Sequence, residues 1–174
     1  MAETEKVPDA RGEVNQPEPG VTTTPKEIGY ITDVVQKLIG YMGIRAKVEV
    51  TKEGEGYVAN IKTRHSGAIL IGRRGATLKA LQHLVRTIVR REYPEVGALE
   101  VDVAGYLKRR DNFLRKKALA VAKIVTETQR EMALDSLTEK EMALVQEALK
   151  SEGLPVRVYA VGTGSRRQVV IAPQ

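Results

Sequence analysis

Two glycines and two arginines form the segment of this 174-residue chain with the clearest capacity for chemistry, Gly72-Arg73-Arg74-Gly75. The glycines allow the backbone to bend tightly, and they leave its N–H groups uncovered because they carry no Cβ. A helix that starts at Ala76 would direct the positive end of its dipole at the same place. Together with the two guanidinium groups, this arrangement predicts a binding site for an anion, above all a phosphodiester.

Side chains on both flanks of the loop are candidates to extend such a site. The apolar turn before the loop is expected to help line a groove for bases, through Ile69, Leu70 and Ile71. The helix after it, about residues 76–91, carries a polar stripe with residues three or four positions apart. The members of this stripe are Lys79, Gln82, His83, Arg86 and Arg90. Contacts with a nucleic acid are expected from Lys79, His83 and Arg86, with a merely solvated helix face as the alternative.

Six elements are predicted to position the loop, in the order α-β-β-α-α-β. Thr24-Pro25-Lys26-Glu27 is a capping box, and the apolar period of the first helix that follows it stops at Gly43. Alternating residues predict a hairpin of two strands and, beyond the loop, a third strand. The predicted ranges are 44–50 and 57–63 for the hairpin, 67–71 for a short helix capped by Ser66, and 99–103 for the third strand.

The second half predicts a separate small α+β unit. A helix over 106–128 is followed by a short strand at 132–135, and a second capping box at 138–141 opens a helix that stops at Gly153. Strands at 156–161 and 168–172 flank a glycine hairpin. The basic side chains of 108–117 and the hairpin arginines Arg166 and Arg167 are interpreted as solvated surface, with phosphate contact as the alternative for the two arginines. The resulting domain boundaries are a mobile tail at 1–23, a first domain at 24–104 and a second at 105–174.

Composition narrows the class of protein. A formal net charge of +6 and a pI near 9.5 favour a polyanionic partner, and 42% hydrophobic residues suffice for a core. The chain has no cysteine, so disulfides, iron–sulfur clusters and cysteine zinc sites are excluded. Neither His65 nor His83 has a metal-ligand pattern around it, and no catalytic motif is present. We therefore expect a cytoplasmic protein that is not an enzyme, carries no cofactor or metal and is not inserted in a membrane.

The segment from Leu70 to Gln82 in this element order resembles a type II KH domain, whose GXXG loop clamps about four unpaired nucleotides. Together with Val101-Asp102-Val103-Ala104-Gly105-Tyr106 and the segment 166–171, it is similar to the bacterial Jag family. In that family an R-three-H domain follows the KH domain. The alignment puts Met142 at the arginine and Gln146 at the histidine of its signature, so this chain has neither signature residue.

The resemblance implies a single-stranded RNA-binding protein whose second module is R-three-H-like, acting as a bacterial post-transcriptional regulator or RNA chaperone. It also implies a second small KH protein as a partner. A different hypothesis is a protein-interaction adaptor, because the second module lacks its signature and because the resemblance implies a link to membrane insertion or the cell envelope. Single-stranded DNA is a third alternative, since a phosphate clamp does not read the 2′-hydroxyl. The RNA targets and the oligomeric state are left open.

Overall fold

The computed structural model describes residues 26–174, which form an α+β protein as predicted. The predicted tail at 1–23 and the first two residues of the first capping box lie outside the described residues. The helices are α1 (Lys26–Tyr41), α2 (Gly67–Ile71), α3 (Ala76–Glu92), α4 (Tyr106–Thr128) and α5 (Glu139–Ser151). The strands are β1 (Lys47–Glu53), β2 (Gly56–Lys62), β3 (Leu99–Val103), β4 (Met132–Leu137), β5 (Val156–Val161) and β6 (Arg167–Pro173).

The first half contains a three-stranded mixed sheet in the order β1-β2-β3. β1 and β2 form an antiparallel hairpin, and β3 pairs parallel to β2, with Tyr57 opposite Leu99. The predicted order α-β-β-α-α-β is confirmed. β1 starts three residues later than predicted because the turn after α1 still includes Ile44, whose N–H donates to the carbonyl of Ile39 at 3.0 Å.

Apolar faces of α1 and α3 pack on this sheet and close the first core. The buried residues of α3 are Leu78, Leu81, Val85 and Val89, one stripe at helical spacing. Leu84, an apolar residue next to this stripe in the sequence, is 49% exposed. The short helix α2 contributes Leu70, which is fully buried.

The second half contains an antiparallel sheet in the order β4-β6-β5. The predicted hairpin is formed by β5 and β6, and β4 extends two residues further than predicted. The second capping box is confirmed, since the N–H of Thr138 donates to Glu141 Oε2 at 2.9 Å and the N–H of Glu141 to Thr138 Oγ1 at 3.3 Å. Ser66 occupies the predicted N-cap position of α2, but its side chain makes no capping bond and its own N–H donates to Thr63 Oγ1.

Helix α4 connects the two cores. Tyr106 and Leu107, in its first turn, pack against the first core, whereas Leu114 and Ala118 lie fully buried in the second. One continuous helix therefore fixes the first sheet relative to the second.

Across residues 26–174, the structure contains no helix with both the length and the apolar character that a bilayer crossing requires.

Candidate nucleic-acid interface

The glycine loop forms a single 3₁₀ turn between α2 and α3, and three of its four residues have positive φ. Gly72 has φ 70° and ψ −176°, a conformation that essentially only glycine adopts, and a Cβ there would lie 2.9 Å from the backbone nitrogen of Thr77. Gly75 is left-handed at φ 79°, and its Cβ would lie 3.2 Å from the Tyr106 ring and hydroxyl. Arg74, between them, has φ 55°. Both glycines are thus needed where Thr77 and Tyr106 pack closely against the loop backbone.

Tyr106 packs behind Gly75 and keeps a neutral hydroxyl. Partial burial raises the pKa of this phenol, and Glu141 raises it further, while Arg110 and Arg166 lower it. The net direction is upward, so Tyr106 presents an uncharged ring and an O–H donor next to the loop at neutral pH.

The two loop arginines have different environments, although the sequence pattern does not distinguish them. Arg73 is exposed, and none of the ion pairs found within residues 26–174 includes it. Arg74 Nη2 lies 2.9 Å from Asp135 Oδ1 on β4, and the Arg74 carbonyl accepts a hydrogen bond from Arg166 Nη2 at 2.7 Å. Arg73 is therefore available to an incoming anion, whereas Arg74 is already bound to the second half of the chain.

These contacts belong to a charge network that sequence reasoning missed. Asp135 and Glu141, whose side chains are only 9% and 13% exposed, are its two carboxylates. Arg110 Nε lies 3.0 Å from Glu141 Oε1 and its Nη2 3.6 Å from Asp135 Oδ2, and Arg166 Nη2 lies 3.2 Å from Glu141 Oε2. Arg110 and Arg166, interpreted from the sequence as solvated surface, are instead half-buried. No local sequence signal identifies this network, because its members are far apart in the chain.

The three apolar residues before the loop differ in their exposure to solvent. Ile69 is 62% exposed, Ile71 is half-buried, and Leu70 is fully buried in the first core. The prediction that Leu70 lines a groove is therefore wrong, because its side chain is enclosed by the sheet and helices. An amphipathic helix must point one of three successive residues inward, and here that residue is Leu70.

The polar stripe of α3 divides in the same way. Lys79 and His83 are exposed near the start of the helix. Arg86 is half-buried, and its Nε donates to the carbonyl of Leu99 at 2.9 Å, while Gln82 Oε1 accepts from the N–H of Val101 at 3.2 Å. Arg86 therefore bonds to β3, an edge strand whose outer backbone groups need partners, and its contact with a nucleic acid stays a prediction.

The two positions aligned to the R-three-H signature lie one turn apart on α5. Met142 is half-buried against the second core, and Gln146 is exposed. Helix α5 instead joins the charge network beside the loop through Glu141. This carboxylate accepts hydrogen bonds from Arg110 and Arg166.

The described residues thus place a glycine loop with an exposed arginine on an α+β scaffold, in a chain of net charge +6. Searched against family models, the chain matches none. It is 28% identical over 131 residues to the RNA-binding protein KhpB of Bacillus subtilis, covering 74% of this chain and 63% of that protein. It is 30% identical over 111 residues to the RNA-binding protein KhpB of Clostridium symbiosum, covering 64% and 50%.

The RNA-binding protein KhpB of Lactiplantibacillus plantarum is 26% identical over 142 residues, which is 82% of this chain and 44% of that protein. The chain thus spans about half of the length of these relatives, and its similarity to them agrees with the Jag-family resemblance at modest identity. A crystal structure of Aquifex aeolicus Era matches this chain at 21% identity with a TM-score of 0.33. The match covers 60% of this chain and 40% of the Era chain.

Proposed function

We propose that this protein binds single-stranded RNA and clamps its backbone at the Gly72-Arg73-Arg74-Gly75 loop of a type II KH domain. The observation that carries the proposal is the positive-φ loop with exposed Arg73 at the start of α3. The position of this loop between the two central helices of the α-β-β-α-α-β order supports it. The names of the three relatives, all RNA-binding proteins, support RNA as the partner.

In this proposal the two glycines let the phosphodiester backbone approach the loop N–H groups, and Arg73 forms the first charge-assisted contact with a phosphate. Lys79 and His83 continue the contact along α3, and exposed Ile69 packs against a base. Arg74 keeps the loop in shape through Asp135 and joins the RNA contact only through the exposed part of its side chain.

The biological role that goes with this site is that of a bacterial post-transcriptional regulator or RNA chaperone in the cytoplasm, with a second small KH protein as a partner. The KH domain comprises residues 24–104, and residues 105–174 form the R-three-H-like module. Both assignments rest on the resemblance of the motifs and on the separate sheets and cores of the two halves.

A charge reversal at Arg73 tests the clamp. Arg73→Glu removes an exposed cation outside the ion-pair network, so the fold is retained while affinity for a labelled single-stranded RNA falls at least about tenfold. Arg74→Glu is a poorer choice because it also breaks the contact with Asp135. Lys123→Glu, an equal change of charge at an exposed position of α4, is the matched control and leaves affinity nearly unchanged.

Equal affinity of the Arg73→Glu variant and the native protein would overturn the clamp. Crosslinking in cells then separates RNA binding from the adaptor alternative. RNA recovered in an Arg73-dependent way supports the clamp, and protein partners that survive nuclease and the substitution support the adaptor.

A further inference from the structure

Two grooves open on either side of the glycine loop. The first, which we call the hairpin groove, has a volume of about 420 Å³ and runs between α3 and the β5–β6 hairpin. Its α3 side presents Ala76, Lys79, Ala80 and His83, and its hairpin side presents Ser165 and Arg166. The second, the α5 groove, has a volume of about 460 Å³ and lies between α3, β3, α4 and the start of α5.

The two grooves differ in charge. Arg74, Lys79 and Arg166 line the hairpin groove, and no carboxylate is among the residues that line it within the described part of the chain. The α5 groove shares these three cations and adds Arg110 and Lys140, but it also contains four carboxylates from three different elements, Glu100, Asp111, Glu139 and Glu141. A polyanion leaving the loop therefore meets nearly balanced charge on the α5 side and only cations and neutral groups on the hairpin side.

The floor of the hairpin groove is also shaped for a backbone. Ala76 and Ala80 are exposed and one turn apart on the first two turns of α3, directly after the loop. Their methyl groups leave room for a ribose-phosphate chain to lie close to the helix. Lys79 and His83, one turn apart on the same helix, stand beside this floor.

The opposite wall is attached to the loop. Arg166 Nη2 donates to the Arg74 carbonyl at 2.7 Å and to Glu141 Oε2 at 3.2 Å. The hairpin therefore keeps a fixed position relative to the glycine loop and to the start of α3. A strand that is clamped at the loop finds the groove already assembled.

We propose that the hairpin groove carries the sugar-phosphate backbone of single-stranded RNA onward from the glycine loop, so that the second module supplies one wall of the RNA site. This inference rests on the proposed function and deepens it. It assigns an RNA-binding role to Ser165 and Arg166, in a module whose signature positions hold Met142 and Gln146. It also assigns the exposed alanines of α3 to the site, which no charge pattern in the sequence marks.

Ala80→Glu tests the groove because Ala80 lines it without lining the α5 groove. A carboxylate there weakens binding of a fluorescein-labelled single-stranded RNA of mixed sequence by about fivefold, and Ala80→Lys strengthens it by a similar factor. Ala120→Glu, the same change at an exposed position of α4, is the control and leaves affinity unchanged. Fluorescence anisotropy measures the affinity, and thermal melts verify that each variant folds.

RNA length provides the second arm. A loop of this type holds about four nucleotides, so the native protein and the Ala80→Glu variant bind a tetranucleotide with equal affinity. Only the affinity for a longer strand is lowered by the substitution. If the longer strand is insensitive to Ala80→Glu while Arg73→Glu abolishes binding, the groove inference is wrong and the clamp stands. An equal loss for both RNA lengths also overturns it, because the effect then belongs to the loop. Absence of RNA binding by the native protein refutes the proposed function itself.

Discussion

At the scale of single residues, backbone geometry decides what the loop can contain. Gly72 combines positive φ with extended ψ, and the space that a side chain would need is filled by Thr77. Gly75 is less restricted, because a left-handed residue with a Cβ costs only about 1–2 kcal/mol and its Cβ would lie no closer than 3.2 Å to Tyr106. The first glycine is thus the stricter requirement of the pair.

Gly72→Ala should consequently disturb the loop itself. The new Cβ would collide with the backbone of Thr77, so we expect the turn to change shape, the free energy of unfolding to fall by about 1–3 kcal/mol, and RNA affinity to fall with it. Gly29→Ala is the matched control. A Cβ at Gly29, in α1, would have no described atom of a neighbouring element within 4 Å, so alanine there should stabilise the helix by about 0.5–1 kcal/mol. Chemical denaturation and RNA titration measure both, and an unchanged Gly72→Ala variant would contradict the assigned geometry.

The same scale shows which parts of the site the sequence could predict. Residue type and spacing suffice for the two glycines and for the exposed positions of Arg73, Lys79 and His83, because loop chemistry and helical period are local. They do not distinguish Arg73 from Arg74, since the difference arises from Asp135, which is distant in the chain. Whether these residues contact RNA stays a prediction.

At the scale of elements, periodicity and capping residues predict where most of the helices and strands begin and end. Helix α4 spans the predicted 106–128, and the capping box starts α5 at the predicted place, because periodicity and caps act within a few residues. Local signals do not predict side-chain bonds between elements, such as the bond from the Arg86 side chain to the edge of β3. A polar stripe on a helix cannot reveal which of its members a neighbouring strand will use.

The contact between β4 and the loop predicts a stability effect at this scale. Asp135→Asn leaves Arg110 and Arg74 with one carboxylate fewer, and Arg110 is only 12% exposed. Removing one partner of a buried ion pair typically costs about 3–5 kcal/mol; we expect about 2 kcal/mol here, because Glu141 still balances Arg110. Urea denaturation measures the loss. Asp33→Asn, which breaks an exposed pair with Lys37 on α1, is the control with an unchanged midpoint, and equal behaviour of the two variants would show that the network does not stabilise the fold.

At the scale of the whole molecule, the salt dependence of RNA affinity measures how many phosphates this chain, of net charge +6, neutralises. Each phosphate of a single strand that the protein neutralises contributes about −0.7 to the slope of log affinity against log salt. Three or four such contacts give a slope of about −2 to −3, and Arg73→Glu should make it shallower by about one contact. Titrations over a range of potassium chloride measure the slope, and a flat response would contradict a phosphate clamp.

The bond from Arg166 to the Arg74 carbonyl joins residues 92 positions apart, which has a consequence for the order of assembly. When α2 and α3 have emerged from the ribosome, the glycine loop has its own turn but not the partner that fixes its central carbonyl. That partner is synthesised only after both sheets have nearly all of their strands. The loop therefore reaches its final geometry late, and a chain interrupted before the β5–β6 hairpin would present the glycines and Arg73 without the support that holds them in register.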